Sequence, residues 1–114
     1  MGDISAHFSR SEFRCHHCGH FKIDPQLLWA LEELRNHYGQ PVHVLCGYRC
    51  VIENQNVGGA PDSLHMGGCA ADISVANLSP PEVKRWLESL RPKVGGLGLY
   101  PGFVHVDTGP VREW

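Results

Sequence analysis

Long apolar runs are missing from this chain of 114 residues. No stretch approaches the ~18 consecutive apolar residues that a membrane-crossing helix needs. An excess of basic charge is missing as well. The formal net charge is -2, so there is neither a polybasic membrane patch nor a nucleic-acid footprint. The opening "MGDISAHFSRSEF" has no apolar core behind a basic start, and no secretory leader is expected. A lipid anchor on Gly2 is not expected, because Ala6 stands where the acylation pattern wants Ser or Thr. Repeats, low-complexity tracts and an interdomain linker are absent from the sequence. The cysteines number 5, an odd count that rules out a framework in which every thiol pairs within the chain.

What remains is the composition of a folded domain, with 42% hydrophobic and 19% charged residues. One domain over 1–114 is expected at this length, with residues 1–22 an irregular Cys/His-containing arm packed on it. Asp24 and Pro25 supply a cap and a first-turn proline. Leu27, Leu28, Leu31 and Leu34 follow the helical period until Gly39 and Pro41 stop it. "PVHVLCGYR" alternates Val42, Val44 and Cys46 against His43 and Leu45, which predicts a strand. "CVIENQN" is a short helical piece, and "VGGAPDS" is a loop by its Gly and Pro content. "AADISVA" predicts a second strand. A second long helix starts at Ser79, with Pro80 and Glu82 completing its first turn. "VGGLGLY" and "FVHVD" form a hairpin around Pro101-Gly102, and the tail "TGPVREW" is irregular. Strands and helices do not alternate regularly, so the fold class is α+β, a small mainly antiparallel sheet with flanking helices.

The chain contains 8 histidines, more than its composition requires. His7, His37 and His43 are read as surface residues. Strand parity singles out two other positions. Ala70, Asp72 and Ser74 share one face of their strand; Phe103, His105 and Asp107 share one face of theirs. Asp72 and His105 can therefore meet across two strands. His65 lies on the loop before the first strand, where Gly67 and Gly68 permit a sharp return. Two imidazoles and a carboxylate are a sound zinc set, and three protein ligands leave a fourth position for water, as in catalytic sites. Spacing alone is weakly diagnostic, and a polar hairpin with a satisfied histidine explains it about as well.

The surrounding motifs add a resemblance. "SLHMGGCAAD" matches S-x-H-x-x-G-x-A-x-D, and "FVHVDTGPVREW" is similar to the closing segment of a zinc metallopeptidase family. "GYR", "ENQNVGGAP", "GGLGLYPGFVHVDTGP" and the opening "HFSRSEFRCHHCG" resemble the same family in the same order. These are the zinc D-alanyl-D-alanine carboxypeptidases and their murein endopeptidase relatives, with a hedgehog/DD-peptidase-like fold. The resemblance implies that His65, Asp72 and His105 hold one catalytic Zn2+. It implies hydrolysis of peptide bonds next to D-amino acids in peptidoglycan stem peptides or cross-links. The expected substrate is thus a wall peptide, met at the cell wall in the periplasm, outside the cell, or by a phage-type lysis enzyme (endolysin). A monomer is expected. Arg49 falls near the substrate, where a guanidinium can hold a carboxylate or an oxyanion. Ser63 and Trp114 are expected to touch substrate, with Tyr100, Phe103 and Arg112 beside them.

The pattern departs at the general base. Relatives place an acid three residues before the last ligand, or a histidine two before it; here Gly102 and Phe103 stand there. Asp107 is the nearest acid, either as the catalytic proton carrier or as an acceptor that orients His105. The departure keeps a second class open, a non-catalytic zinc-containing binding module of the same fold.

Cys15 and Cys18 admit three readings. They form half of a structural zinc site with Cys46 and Cys50, or one of them pairs with Cys50 in a disulfide, or all are packed thiols. A second ion at Cys15/Cys18 is not the favoured one. Cys69 is read as a small filler.

Overall fold

A computed structural model describes residues 2–114. Helix α1 spans Pro25–Tyr38, with Asp24 accepting from the Gln26 amide and Gly39 closing it in the left-handed conformation at φ 64°. It buries Leu27, Ala30, Leu31 and Leu34, the stripe expected from the period. Strand β1 is Val42–Cys46 and the one-and-a-half-turn helix α2 is Val51–Asn56. A 3-10 turn at Leu64–Gly67 leads into β2, Ala70–Val75. Helix α3, Pro80–Glu88, is capped by Ser79. Strands β3 (Gly96–Leu99), β4 (Val104–Asp107) and β5 (Arg112–Glu113) complete a five-stranded sheet of order β1-β2-β4-β3-β5. All pairings are antiparallel except β3 with β5. The architecture is α+β, as the mixed pattern predicts.

The sheet divides by parity. Ala71, Ile73 and Val75 of β2, Leu97 of β3, and Val104 and Val106 of β4 enter the apolar cluster with α1 and α3. Burial of such a layer contributes roughly 25 cal/mol per Å² of apolar surface removed from water. The opposite parity carries the polar site.

Three expectations need correction. The arm is more ordered than "irregular": Arg10–Phe13 forms a 3-10 turn and Arg14 bridges Phe21. Phe8 and Phe13 are fully buried in the core, so the arm supplies packing as well as polar groups. The tail is a short strand, because the Arg112 and Trp114 amides donate to the Gly95 and Leu97 carbonyls at 3.2 and 3.0 Å. Cys46 does not continue the face of Val42 and Val44. A bulge between Val44 and Cys46 shifts the register, so that Cys46 stands opposite Asp72.

Candidate metal centre

That bulge completes a row of residues across four strands. Cys46 pairs with Asp72, Asp72 with His105, and His105 with Gly98. All lie on the face turned away from the apolar core. Gly98 is required for the row's far end, since a Cβ there would come within 2.5 Å of the Trp114 ring. Trp114 thus lies over Gly98, its ring centroid 4.9 Å from that of His105 and its Nε1 donating to the Tyr100 hydroxyl at 2.8 Å.

His65 reaches the row from the 3-10 turn, where the Ser63 hydroxyl accepts its backbone amide and Gly68 reverses the chain at φ 73°. The imidazole is 2% exposed. Its Nδ1 lies 2.7 Å from the Gly47 carbonyl, which can only accept, so Nδ1 donates to it and Nε2 is the nitrogen that carries the lone pair once the ring is neutral. Nε2 lies 3.3 Å from Asp72 Oδ1. His105 is the mirror case. Its Nε2 is committed to Asp107 Oδ2 at 2.8 Å, and its Nδ1 faces Asp72 Oδ1 at 3.1 Å. Each ring is fixed through one nitrogen and presents the other to the same carboxylate oxygen. The ring centroids are 5.2 Å apart.

Asp107 is 0% exposed. Its carboxylate accepts from the Gly96 and Gly109 amides at 2.9 Å each and from Arg112 at 2.9 and 3.2 Å. Gly96 permits this, because a Cβ there would come within 2.2 Å of the carboxylate. The opening onto the cleft that a proton-transferring acid needs is not found at Asp107. Burial works to raise its pKa, but the bonds to His105, Arg112 and the two amides prevail and hold it at about 2. Asp72 is likewise pushed up by burial and pulled down further by His105 and His65, to about 2. Burial disfavours a charged His65, yet Asp72 and then Cys46 outweigh it and bring the ring to about 9. His105 is also raised, burial opposing and Asp107 and Asp72 prevailing.

The three expected ligand residues, Arg49, Ser63 and Trp114 all line one cleft of about 600 Å³. Arg49 Nη2 donates to Ser63 Oγ at 3.0 Å. Its Nε is buried without a partner among the described residues, a donor directed at nothing the chain supplies. Tyr100 and Phe103 stack at 4.6 Å between centroids on one wall. Asp62, which the sequence reading passed over, lines the cleft too. Two imidazoles, each held through its outer nitrogen, and an ionised carboxylate are a donor set that suits zinc once the inner nitrogens give up their protons. Cys46 is a further neighbour that parity misplaced. It, His65 and Asp72 each offer a donor atom within 4.8 Å of the others, although its sulfur lies nearest the His65 nitrogen already bonded to Gly47, at 3.8 Å.

A histidine–aspartate–histidine group set across a small antiparallel sheet, open to a cleft on one side, defines an α+β domain built around a candidate metal centre. The family described as peptidase M15 matches residues 6–107, and the chain belongs to that family. It is 40% identical over 103 residues to a probable peptidoglycan L,D-endopeptidase of Haemophilus influenzae, covering 82% of this chain and 54% of that one. It is 36% identical over 101 residues to a peptidoglycan L,D-endopeptidase of Escherichia coli, covering 81% of this chain and 54% of the relative. A zinc D-Ala-D-Ala carboxypeptidase of Streptomyces albus G matches at 43% over 51 residues, 44% of this chain and 20% of that one. The chain spans about half the length of the first two relatives.

Proposed function

We propose that the chain is a zinc-dependent peptidase domain that hydrolyses peptide bonds next to D-amino acids in peptidoglycan, acting at the cell wall. The observation that carries the reading is the pair of imidazoles turned onto one Asp72 oxygen, at 3.3 and 3.1 Å, with both outer nitrogens committed elsewhere. His65 Nε2, Asp72 and His105 Nδ1 are the ligands in this reading. Zinc bound there supplies Lewis acidity, making water reactive at neutral pH and polarising a carbonyl.

The chain's own groups do the rest. Gly47 and Asp107 keep the two rings in their working tautomers, so no reorganisation is needed when substrate enters. Asp107 is therefore a positioning residue, and the proton-transfer role is not assigned to it. Asp62, on the cleft wall, is the acid left to carry a proton between water and the leaving amine. Arg49, which lines the cleft, offers its guanidinium charge to negative charge that develops on the scissile carbonyl. Tyr100, Phe103 and Trp114 form an apolar wall against which a stem peptide lies.

The relatives named as L,D-endopeptidases and the open cleft support scission within a cross-linked peptide. Incubation with purified peptidoglycan, followed by mass spectrometry of released peptides with and without chelator, tests this. Chelator-sensitive fragments cut at an L,D bond are expected. Release of terminal D-alanine alone would make the domain a carboxypeptidase. Wall binding without any chelator-sensitive product, across several wall types, would leave the binding-module reading instead.

A further inference from the structure

On the far side of the Gly47–Cys50 loop lies a second cluster that the cleft does not use. Cys15, Cys18 and Cys50 each place a sulfur within 4.8 Å of the others. His17 Nδ1 stands 3.7 Å from Cys50 Sγ. The first two thiols come from one tight turn. Gly19 donates to the Cys15 carbonyl at 3.0 Å, Cys15 donates to the His20 carbonyl at 2.7 Å, and Gly19 reverses the chain at φ 77°. That closure presents Cys15 and Cys18 on the same side. Backbone amides point at two of the sulfurs: Cys50 N–H at Cys15 Sγ and Glu53 N–H at Cys50 Sγ, both at 3.4 Å. Such donors favour thiolate over thiol. Cys46, the fourth partner expected from the sequence, faces Asp72 instead.

We infer that Cys15, Cys18 and Cys50, with His17 completing the set, form a structural metal site for a zinc-type divalent ion. Three thiolates and an imidazole are an established tetrahedral combination with no position left for water. A disulfide accounts for two of the sulfurs and leaves a third thiol beside it, ready for exchange. An ion accounts for all three. It would also tie the arm to the loop that carries Gly47, which orients His65, and Arg49. The arm already meets that loop where Tyr48 N–H donates to the Phe13 carbonyl at 3.0 Å. This inference does not rest on the peptidase reading.

Cobalt substitution of the 114-residue chain, kept under reductant, separates the two sites. Thiolate–Co2+ bonds give intense near-ultraviolet charge-transfer absorption that an imidazole–carboxylate site lacks. The wild-type chain is expected to show that absorption, and His65→Ala to keep it undiminished while losing one metal equivalent. Cys18→Ser changes an exposed side chain, so the fold is expected to persist by circular dichroism. It should lose the absorption and the other metal equivalent. Alkylation at cell lysis gives a second readout, with all three thiols protected until chelator is added. A wild-type chain without the absorption, a Cys18→Ser chain that retains it in full, or a disulfide between any two of Cys15, Cys18 and Cys50 in the lysis-blocked protein would each overturn the site.

Discussion

The two clusters of metal-capable side chains are built on opposite plans. Two members of the histidine–aspartate group stand on adjacent strands, where Asp72 and His105 are register partners, and His65 joins them from the 3-10 turn. The thiol group stands on loops, brought together by a tight turn and the segment before α2. The strand-borne group is backed by further residues and faces a cleft of about 600 Å³. The thiol group, in the site inferred above, would be closed by its own four donors. The difference follows the chemistry each can do. A site that handles substrate needs an open side and ligands held to within tenths of an ångström, which a hydrogen-bonded ladder provides. A site that staples a short arm needs only enough donors to exclude water.

Substitutions can break this contrast. His65→Ala has the largest expected effect. It removes a strand-site ligand, and peptide release should fall to the chelated background, on the order of 10³-fold or about 4 kcal/mol of barrier. Metal analysis of the same protein should show the thiol-bound equivalent intact. Arg49→Gln should follow, lowering kcat by about 10²–10³-fold with metal content unchanged, the signature of a lost charge-stabilising donor. A change confined to KM would place Arg49 in ground-state binding instead. Asp107→Asn comes next. It keeps the shape but weakens the acceptor behind His105, and zinc affinity by competition with a chromophoric chelator should fall about 10–100-fold. Full activity with undiminished affinity would remove Asp107 from the site's support.

A pH titration sharpens the contrast. In chain stripped by chelator, His65 holds a proton up to about pH 9 while Asp72 stays ionised down to about 2. Zinc must displace that proton. Affinity at the strand site should therefore rise with pH up to about 9, by about tenfold per unit for each proton displaced. Measured in Cys18→Ser, a flat profile between pH 6 and 8 would contradict the ligand role of His65.

Much of the strand site was legible before any coordinates. Its ingredients are local: the period-2 alternation of β2 and β4 puts Asp72 and His105 on one face, and Gly67 and Gly68 let the chain turn His65 back, to which the structure adds the Ser63 cap. Helix α1 was legible for the same reason, from Asp24, Pro25 and the leucine stripe. What alternation misses is any break in alternation. The bulge before Cys46 shifts one residue and moves that thiol from the core face to the Asp72 face. Long-range closure is equally hidden. Nothing local to Asp107 announces that Arg112 and the Gly96 and Gly109 amides will surround it. Cys50, 32 residues beyond Cys18, was named from the sequence as a partner of that turn, but nothing local to "CHHCGH" tells that Cys46 does not join it. The burial of Phe13 depends likewise on Gly47, where a Cβ would come within 2.7 Å of the Phe13 backbone.

Anomalous diffraction at the zinc edge, from crystals of the zinc-loaded chain, addresses the central claim without an activity assay. A peak bonded to His65 Nε2, a carboxylate oxygen of Asp72 and His105 Nδ1, each at about 2.0–2.2 Å, is the predicted result. Density at the thiols with none between the two imidazoles, or an ion held by Cys46 in place of His105, would contradict it.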